Sequence, residues 1–225
     1  MKPPFHSICL SLGLATSALN AAVVYTQGVN PNTYSRSDVE FGRQMADDFI
    51  LPSATTVLSV SWQGAYYPDG IAPLPDNFTI LFFPDVAGSP GSAPFASFTV
   101  GNNVNRQSAG FSFPVGHTFP VFDYQANIPG GIPIPANTTV WISILNDSAG
   151  TRHWGWATRF PDGGPTVLNP SRRSADGGTT WPESWTDNTQ TFSLHDTAIP
   201  EPVSSGLLCL GSLLLLGNRR RIKVP

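Results

Sequence analysis

The residues of this 225-residue chain best equipped for chemistry are its carboxylates and its tryptophans. Asp47 and Asp48 stand side by side near the start of an early strand. With Asp187 or Asp196 from a late strand they could supply the hard oxygen ligands that suit Ca²⁺. The competing reading is two solvated carboxylates at a strand end. Asp38 and Glu40 could face this pair across a cleft, but spacing along the chain does not set the carboxyl separation that glycoside hydrolysis requires. Asp69, Asp76, Asp85, Asp162, Asp176 and Asp187 fall in Pro-, Gly- and Asn-rich turns, where Asp usually bonds its own backbone. His117, His153 and His195 stand apart, with no metal-binding spacing, and no G-x-S-x-G elbow occurs. A non-catalytic protein is expected, with no cofactor beyond the candidate calcium.

The aromatics point to binding rather than turnover. Trp154 and Trp156 are two apart, so on a strand they share a face. Tyr66 and Tyr67 lie together in an expected loop, and Trp181 and Trp185 follow late in the chain. A flat aromatic face stacks on a sugar ring, which makes these six residues the candidate glycan-binding set. The alternative places Trp62 and Trp141, embedded in apolar strands, in the core, with the others covering sheet ends.

The elements that must position these residues are strands. Pro (22) and Gly (21) are frequent, charged residues make only 12%, and short β-branched and aromatic runs recur between turn residues. Strands are expected over Asp48–Leu51, Thr55–Gly64, Asn77–Phe83, Phe95–Val100, Ser108–Pro114, Thr118–Gln125, Thr138–Asn146, His153–Thr158 and Thr189–Leu194. Val57 to Trp62 and Val140 to Ile144 read as inner strands between two layers. The best helical candidate, Ser37 to Ala46, is short and interrupted by Gly42. Eight to ten strands with no internal repeat imply an all-β antiparallel sandwich, jelly-roll-like, over residues 23–198.

Charge and cysteine are distributed unevenly. Between Ala22 and Ile199 there is no Lys and no Cys, and seven Arg against fourteen Asp and Glu leave a net charge of 7 − 14 = −7. That acidic middle excludes a nucleic-acid groove, a disulfide framework and a Cys-ligated zinc site. Both lysines, Lys2 and Lys223, and a cluster of three arginines lie at the ends. Residues 1–22 read as a signal peptide: Lys2, an apolar run from about Ile8 to Leu19, then Ala18, Ala21 and Ala22. A buried first helix is the competing reading. Residues 199–225 begin Ile199-Pro200-Glu201-Pro202 and continue in an almost wholly apolar run, Val203 to Gly217, before Arg219-Arg220-Arg221. As a helix that run covers ~23 Å, a marginal membrane span, and the arginines would hold their end in the cytoplasm. An ordinary tail anchor is the alternative.

This tripartite tail resembles the PEP-CTERM sorting signal of Gram-negative and related bacteria. The resemblance covers residues 199–222 and implies that exosortase, an integral-membrane cysteine protease or transpeptidase, recognises Pro200, Glu201 and Pro202. Val203–Gly217 is then a transient transmembrane helix and Arg219, Arg220 and Arg221 the retention cluster. Its hosts typically make exopolysaccharide, which becomes a candidate partner alongside the secretory translocon and signal peptidase. The expected location is the inner membrane in passing, then the envelope or the extracellular matrix. The runs Ala46-Asp47-Asp48-Phe49, Val60 to Gly64 and Asn77 to Phe83 resemble a jelly-roll-like domain of secreted bacterial proteins, one with no assigned activity. Ser174-Ala175-Asp176-Gly177-Gly178-Thr179-Thr180-Trp181 matches the Asp-box pattern S-x-D-x-G-x-T-W, which sialidase-type propellers repeat in each blade. Here it occurs once and reads as a structural turn; a sugar contact through Trp181 or Trp185 is the other reading. A structural, adhesive or glycan-binding matrix protein is therefore expected, with a secreted carbohydrate-active enzyme on a jelly-roll scaffold as the alternative.

Overall fold

The computed structural model describes residues 22–28, 30–72, 75–113, 119–148, 152–159, 170–185 and 188–198. Residues 1–21 of the expected signal peptide, the expected sorting tail with Pro200, Glu201, Pro202 and Arg219 to Arg221, and the terminal helices expected there lie outside the described residues.

Alternating polar and apolar residues give fourteen strands among the described residues: β1 (Val23–Gln27), β2 (Thr33–Arg36), β3 (Gln44–Ile50), β4 (Thr55–Tyr67), β5 (Phe78–Pro84), β6 (Ala96–Gly101), β7 (Asn105–Phe113), β8 (Phe119–Ile134), β9 (Thr139–Asn146), β10 (His153–Arg159), β11 (Ser171–Ser174), β12 (Glu183–Trp185), β13 (Thr189–Gln190) and β14 (Phe192–His195). They form two antiparallel sheets. The six-stranded sheet runs β12-β11-β3-β9-β5-β6. The eight-stranded sheet is organised around the long β4, which pairs with β8 along one edge and with β14 and then β10 along the other. Beyond Trp156, β10 parts from β4, and β13 with β14 wedges into the opening, Thr191 N–H donating to the Ala157 carbonyl at 2.9 Å.

The core lies between the sheets. From β4, Val57, Val60, Trp62 and Tyr66 meet Phe49 of β3, Phe78, Ile80 and Phe82 of β5, and Ile142 and Ile144 of β9. Trp62 stacks on Tyr124 with ring centroids 5.6 Å apart, and Phe78 sets its edge against both. The outer face of the smaller sheet is covered as well: Ala46, Phe83, Trp141 and Trp181 form a separate cluster. That explains why apolar residues dominate β9, with only Ser143 between Val140 and Leu145, because the strand is buried on both faces.

The eight-stranded sheet is strongly curled. β7 and β2 are its opposite edges in the order β7-β8-β4-β10-β2, which in a flat sheet would lie roughly 19 Å apart at ~4.8 Å per strand. Instead Tyr34 of β2 stacks on Phe113 of β7 with centroids 6.1 Å apart and sets its face to the edge of Phe119 of β8 at 5.9 Å. The sheet closes on itself into a half-barrel whose interior is the face turned away from the smaller sheet. One end of that interior is filled by Ala65, Phe113, Phe119, Val121 and Ala157.

The helix expected over Ser37 to Ala46 is not formed. Asp38 and Arg43 instead exchange backbone hydrogen bonds across a tight turn, with Gly42 at φ +61°, and β3 starts at Gln44. The Asp38 side chain decides this. Its carboxylate accepts from Glu40 N–H at 3.1 Å, from the Ser148 hydroxyl at 2.6 Å and from Trp154 N–H at 2.8 Å, contacts that a helix would break.

Candidate functional site

Along β4, the inward Val60 and Trp62 alternate with Ser59, Ser61 and Gln63; along β8, Tyr124 and Ala126 alternate with Asp123, Gln125 and Asn127. The polar set has the other face of the curled sheet, so it turns into the half-barrel. Strand register then aligns it. Thr26 pairs with Ser193, Ser193 with Ser61, Ser61 with Gln125 and Gln125 with Asn105, a row of hydroxyl and amide side chains across β1, β14, β4, β8 and β7. Two residues along, Gln63, Asp123 and Gln107 make a second row across three of the same strands.

These two rows line a groove of about 390 Å³. Its other end is stopped by the apolar cluster under Tyr34, so the groove is the open mouth of the half-barrel, a common place for a ligand to sit. The side chains are steadied by one another. Thr26 and Ser193 hydroxyls lie 2.8 Å apart, Gln63 donates to Asp123 at 2.8 Å, and Ser61 shares a 3.0 Å hydrogen bond with His195 Nε2. Gln125, Asn105 and Ser193 are half-buried, and Thr26 and Gln107 are exposed, so their polar atoms are within reach of a solute. Hydroxyl and amide side chains, each able to donate and to accept, line this pre-formed surface, which suits a hydroxyl-rich ligand.

The aromatic set expected for that role is elsewhere. Trp154 and Trp156 share a face as expected, but it is the inter-sheet face, and both are 0% exposed. Trp154 lies against Phe78 and Tyr124, and Trp156 donates its indole N–H to the Thr191 carbonyl at 2.8 Å. Gly64 makes room for Trp154: a Cβ there would come within 2.4 Å of the indole. Tyr66 belongs to β4, not to a loop, and is fully buried. Its hydroxyl donates to Asp76 and accepts from the Asn146 amide at 2.8 Å, while Arg106 donates to the same Asp76 at 2.6 Å. Burial pushes the Tyr66 hydroxyl far above its ordinary pKa. Asp76 is thus no turn residue but a buried hub, its pKa raised by desolvation against the pull of Tyr66 and Arg106. Tyr67 is half-buried, with the Arg36 guanidinium 5.2 Å from its ring centre. As stacking faces for a sugar, Trp154, Trp156 and Tyr66 are corrected to core, because the strand face they share is the one between the sheets. The Trp185 side chain lies outside the described residues.

Trp181 is 7% exposed and sits edge-on to Phe83 at 5.4 Å. The motif before it is a turn: Asp176 accepts from Thr179 N–H at 3.1 Å, Thr180 N–H at 2.9 Å and both the Thr180 and Ser174 hydroxyls. Those bonds, the Thr180 hydroxyl foremost, hold the Asp176 carboxyl down to about 2.

Asp47 and Asp48 are neighbours on β3, so their side chains leave opposite faces. Asp47 is completely buried and accepts from Gln190 N–H at 2.6 Å and Asp48 N–H at 2.9 Å, joining the two sheets. Desolvation pushes its pKa well above the usual carboxylate range. Among the described residues no group of three or more carboxylate, His or Cys side chains converges as a metal site. Asp196 N–H bonds the Ala22 carbonyl at the sheet edge, and Asp187 lies outside the described residues.

The chain has no significant match to any protein-family model, curated protein or solved structure.

Proposed function

We propose that the protein is an exported envelope or extracellular-matrix component whose β-sandwich, on a jelly-roll-like plan, holds a glycan chain without cleaving it. The observation that carries this reading is the register-aligned row Thr26, Ser193, Ser61, Gln125 and Asn105 along the groove. Sugar hydroxyls both donate and accept, and amide and hydroxyl side chains answer both. Asp123 is the single carboxylate among the described groove residues, whereas glycoside hydrolysis works with a pair. That supports a binding role over a catalytic one.

The export reading rests on the tail sequence. Pro200-Glu201-Pro202, the apolar run and Arg219-Arg220-Arg221 follow one another in the order of an exosortase signal. Sorting by exosortase would deliver the domain to the exopolysaccharide its groove suits.

Two measurements test the two halves. Intact mass of the protein from producing cells, with and without exosortase, should show a chain ending near Pro200–Pro202 outside the cell only when the protease is present. A full-length, membrane-held chain in both cases would overturn the sorting reading. Affinity electrophoresis against a panel of soluble polysaccharides should show retardation that Gln125→Ala weakens. No retardation by any of them would overturn the glycan reading.

A further inference from the structure

The charge around the groove narrows what it can take. We infer that it binds uncharged, hydroxyl-rich glycan chains and turns away chains bearing carboxylate or phosphate. This rests on the glycan reading above and adds the substrate class to it. Asp123 is the one carboxylate among the described groove residues, and no Arg, Lys or His stands among them to balance it. Arg106 lies between Asn105 and Gln107 on β7, but the pleat sends it to the opposite face, where Asp76 holds it at 2.6 Å. None of the other described arginines lines the groove. Arg152 pairs with Asp69 at 2.8 Å, Arg173 pairs with Glu183, Arg172 donates to the Gly88 carbonyl at 2.8 Å, and Arg36 lies over the Phe41 ring at 4.2 Å. His195, bonded to the groove residue Ser61, is only 7% exposed.

A polyanion entering the groove would bring its charge against Asp123 inside a domain already carrying −7. Unfavourable charge is an effective way to exclude a ligand of otherwise similar shape. A neutral chain meets no such barrier and still finds the full row of donors and acceptors. The single carboxylate, steadied by the Gln63 amide, is also a good acceptor for sugar hydroxyls.

The test uses the full chain in mild detergent at about pH 8, where imidazole is neutral. Affinities are measured for a soluble neutral β-glucan and a neutral galactomannan, and for alginate and polygalacturonate, at low and at high salt. The expected result is binding of at least one neutral chain with little salt dependence. The acidic chains should bind at least about tenfold more weakly at low salt, with the gap narrowing as salt screens the charge. Asp123→Asn should raise the ratio of acidic to neutral affinity at low salt. Acidic chains bound as tightly as neutral ones at low salt, and weakened by Gln125→Ala, would overturn the charge inference while leaving the glycan reading standing. If none of the four is bound, both fall together.

Discussion

The rings of Tyr34 and Phe113 stack with centroids 6.1 Å apart, although their strands are opposite edges of the large sheet. That contact closes the half-barrel and so shapes the groove at its other end. It depends on Gly155, over which the Tyr34 ring lies; a Cβ there would come within 2.2 Å of the ring. Gly155→Val should therefore force the ring away, lower stability by about 1–3 kcal/mol as overpacking does, and open the curl. Thermal unfolding together with Tyr34 fluorescence environment would check it, and an unchanged melting temperature would refute the closure role.

Groove and core substitutions should separate cleanly. Gln125→Ala and Asn105→Ala each remove about one hydrogen bond to ligand, so neutral-glycan affinity should fall roughly 2- to 10-fold with the melting temperature unmoved. Trp154→Ala should behave in the opposite way. It empties a fully buried site beside Phe78 and Tyr124, at about 3–5 kcal/mol of stability. Parallel calorimetry and binding curves distinguish the two.

Asp38 should be essential to the turn before β3. Its removal strands the buried Trp154 N–H, while the Ser148 hydroxyl keeps the Arg152 carbonyl as an acceptor at 2.5 Å. Asp38→Ala is expected to lower stability on the order of 1–3 kcal/mol, with Asp38→Asn milder because one acceptor remains. Denaturant unfolding of both variants reads this directly.

Stability should peak on the acid side of neutrality. Asp38, Asp47 and Asp76 have folded pKa values raised by desolvation, so their contribution is complete below the unfolded value and is lost as pH rises through the folded one. Asp176 has the reverse sign. Its pKa of about 2 means that stability is lost as pH falls from the ordinary value of 3.8 toward 2. A melting-temperature profile should fall on both sides of a mildly acidic maximum, and Asp176→Asn should flatten the acid limb. A profile still rising from mildly acidic pH through neutrality would contradict the assignment.

Processing near Pro200 should leave the domain folded, whereas losing the last strand should not. β14 lies between β1 and β4, and Leu194 and Phe192 are in the core. A chain ending at Ala198 should resist limited proteolysis like the parent, and one ending before Thr189 should be digested.

Much of the sheet architecture was legible in the sequence because alternation and turn residues are local signals. Each of the nine expected strands overlaps one that forms, and Val57 to Trp62 and Val140 to Ile144 are the inner strands. Short strands such as β2, β11 and β12 escaped notice because three or four residues carry little periodicity. The groove had a faint signature in Ser59-Ser61-Gln63 and Asp123-Gln125-Asn127, polar residues at period two opposite an apolar stripe. That pattern ordinarily marks a solvent face, and nothing local says that the face is concave.

The sequence by itself determined that the chain is built from strands, that its middle is acidic and free of Cys and Lys, and that its tail carries a sorting-like order of residues. Composition, periodicity and motif order are properties of neighbours along a chain, so they survive without a fold. Tertiary structure alone decided which side of each strand became interior. The alternation that puts Trp154 and Trp156 on one face is blind to which face the second sheet covers. Curvature was decided there too, because it comes from Tyr34 meeting Phe113 across 79 residues of chain, and only that contact turns a row of ordinary polar side chains into a groove.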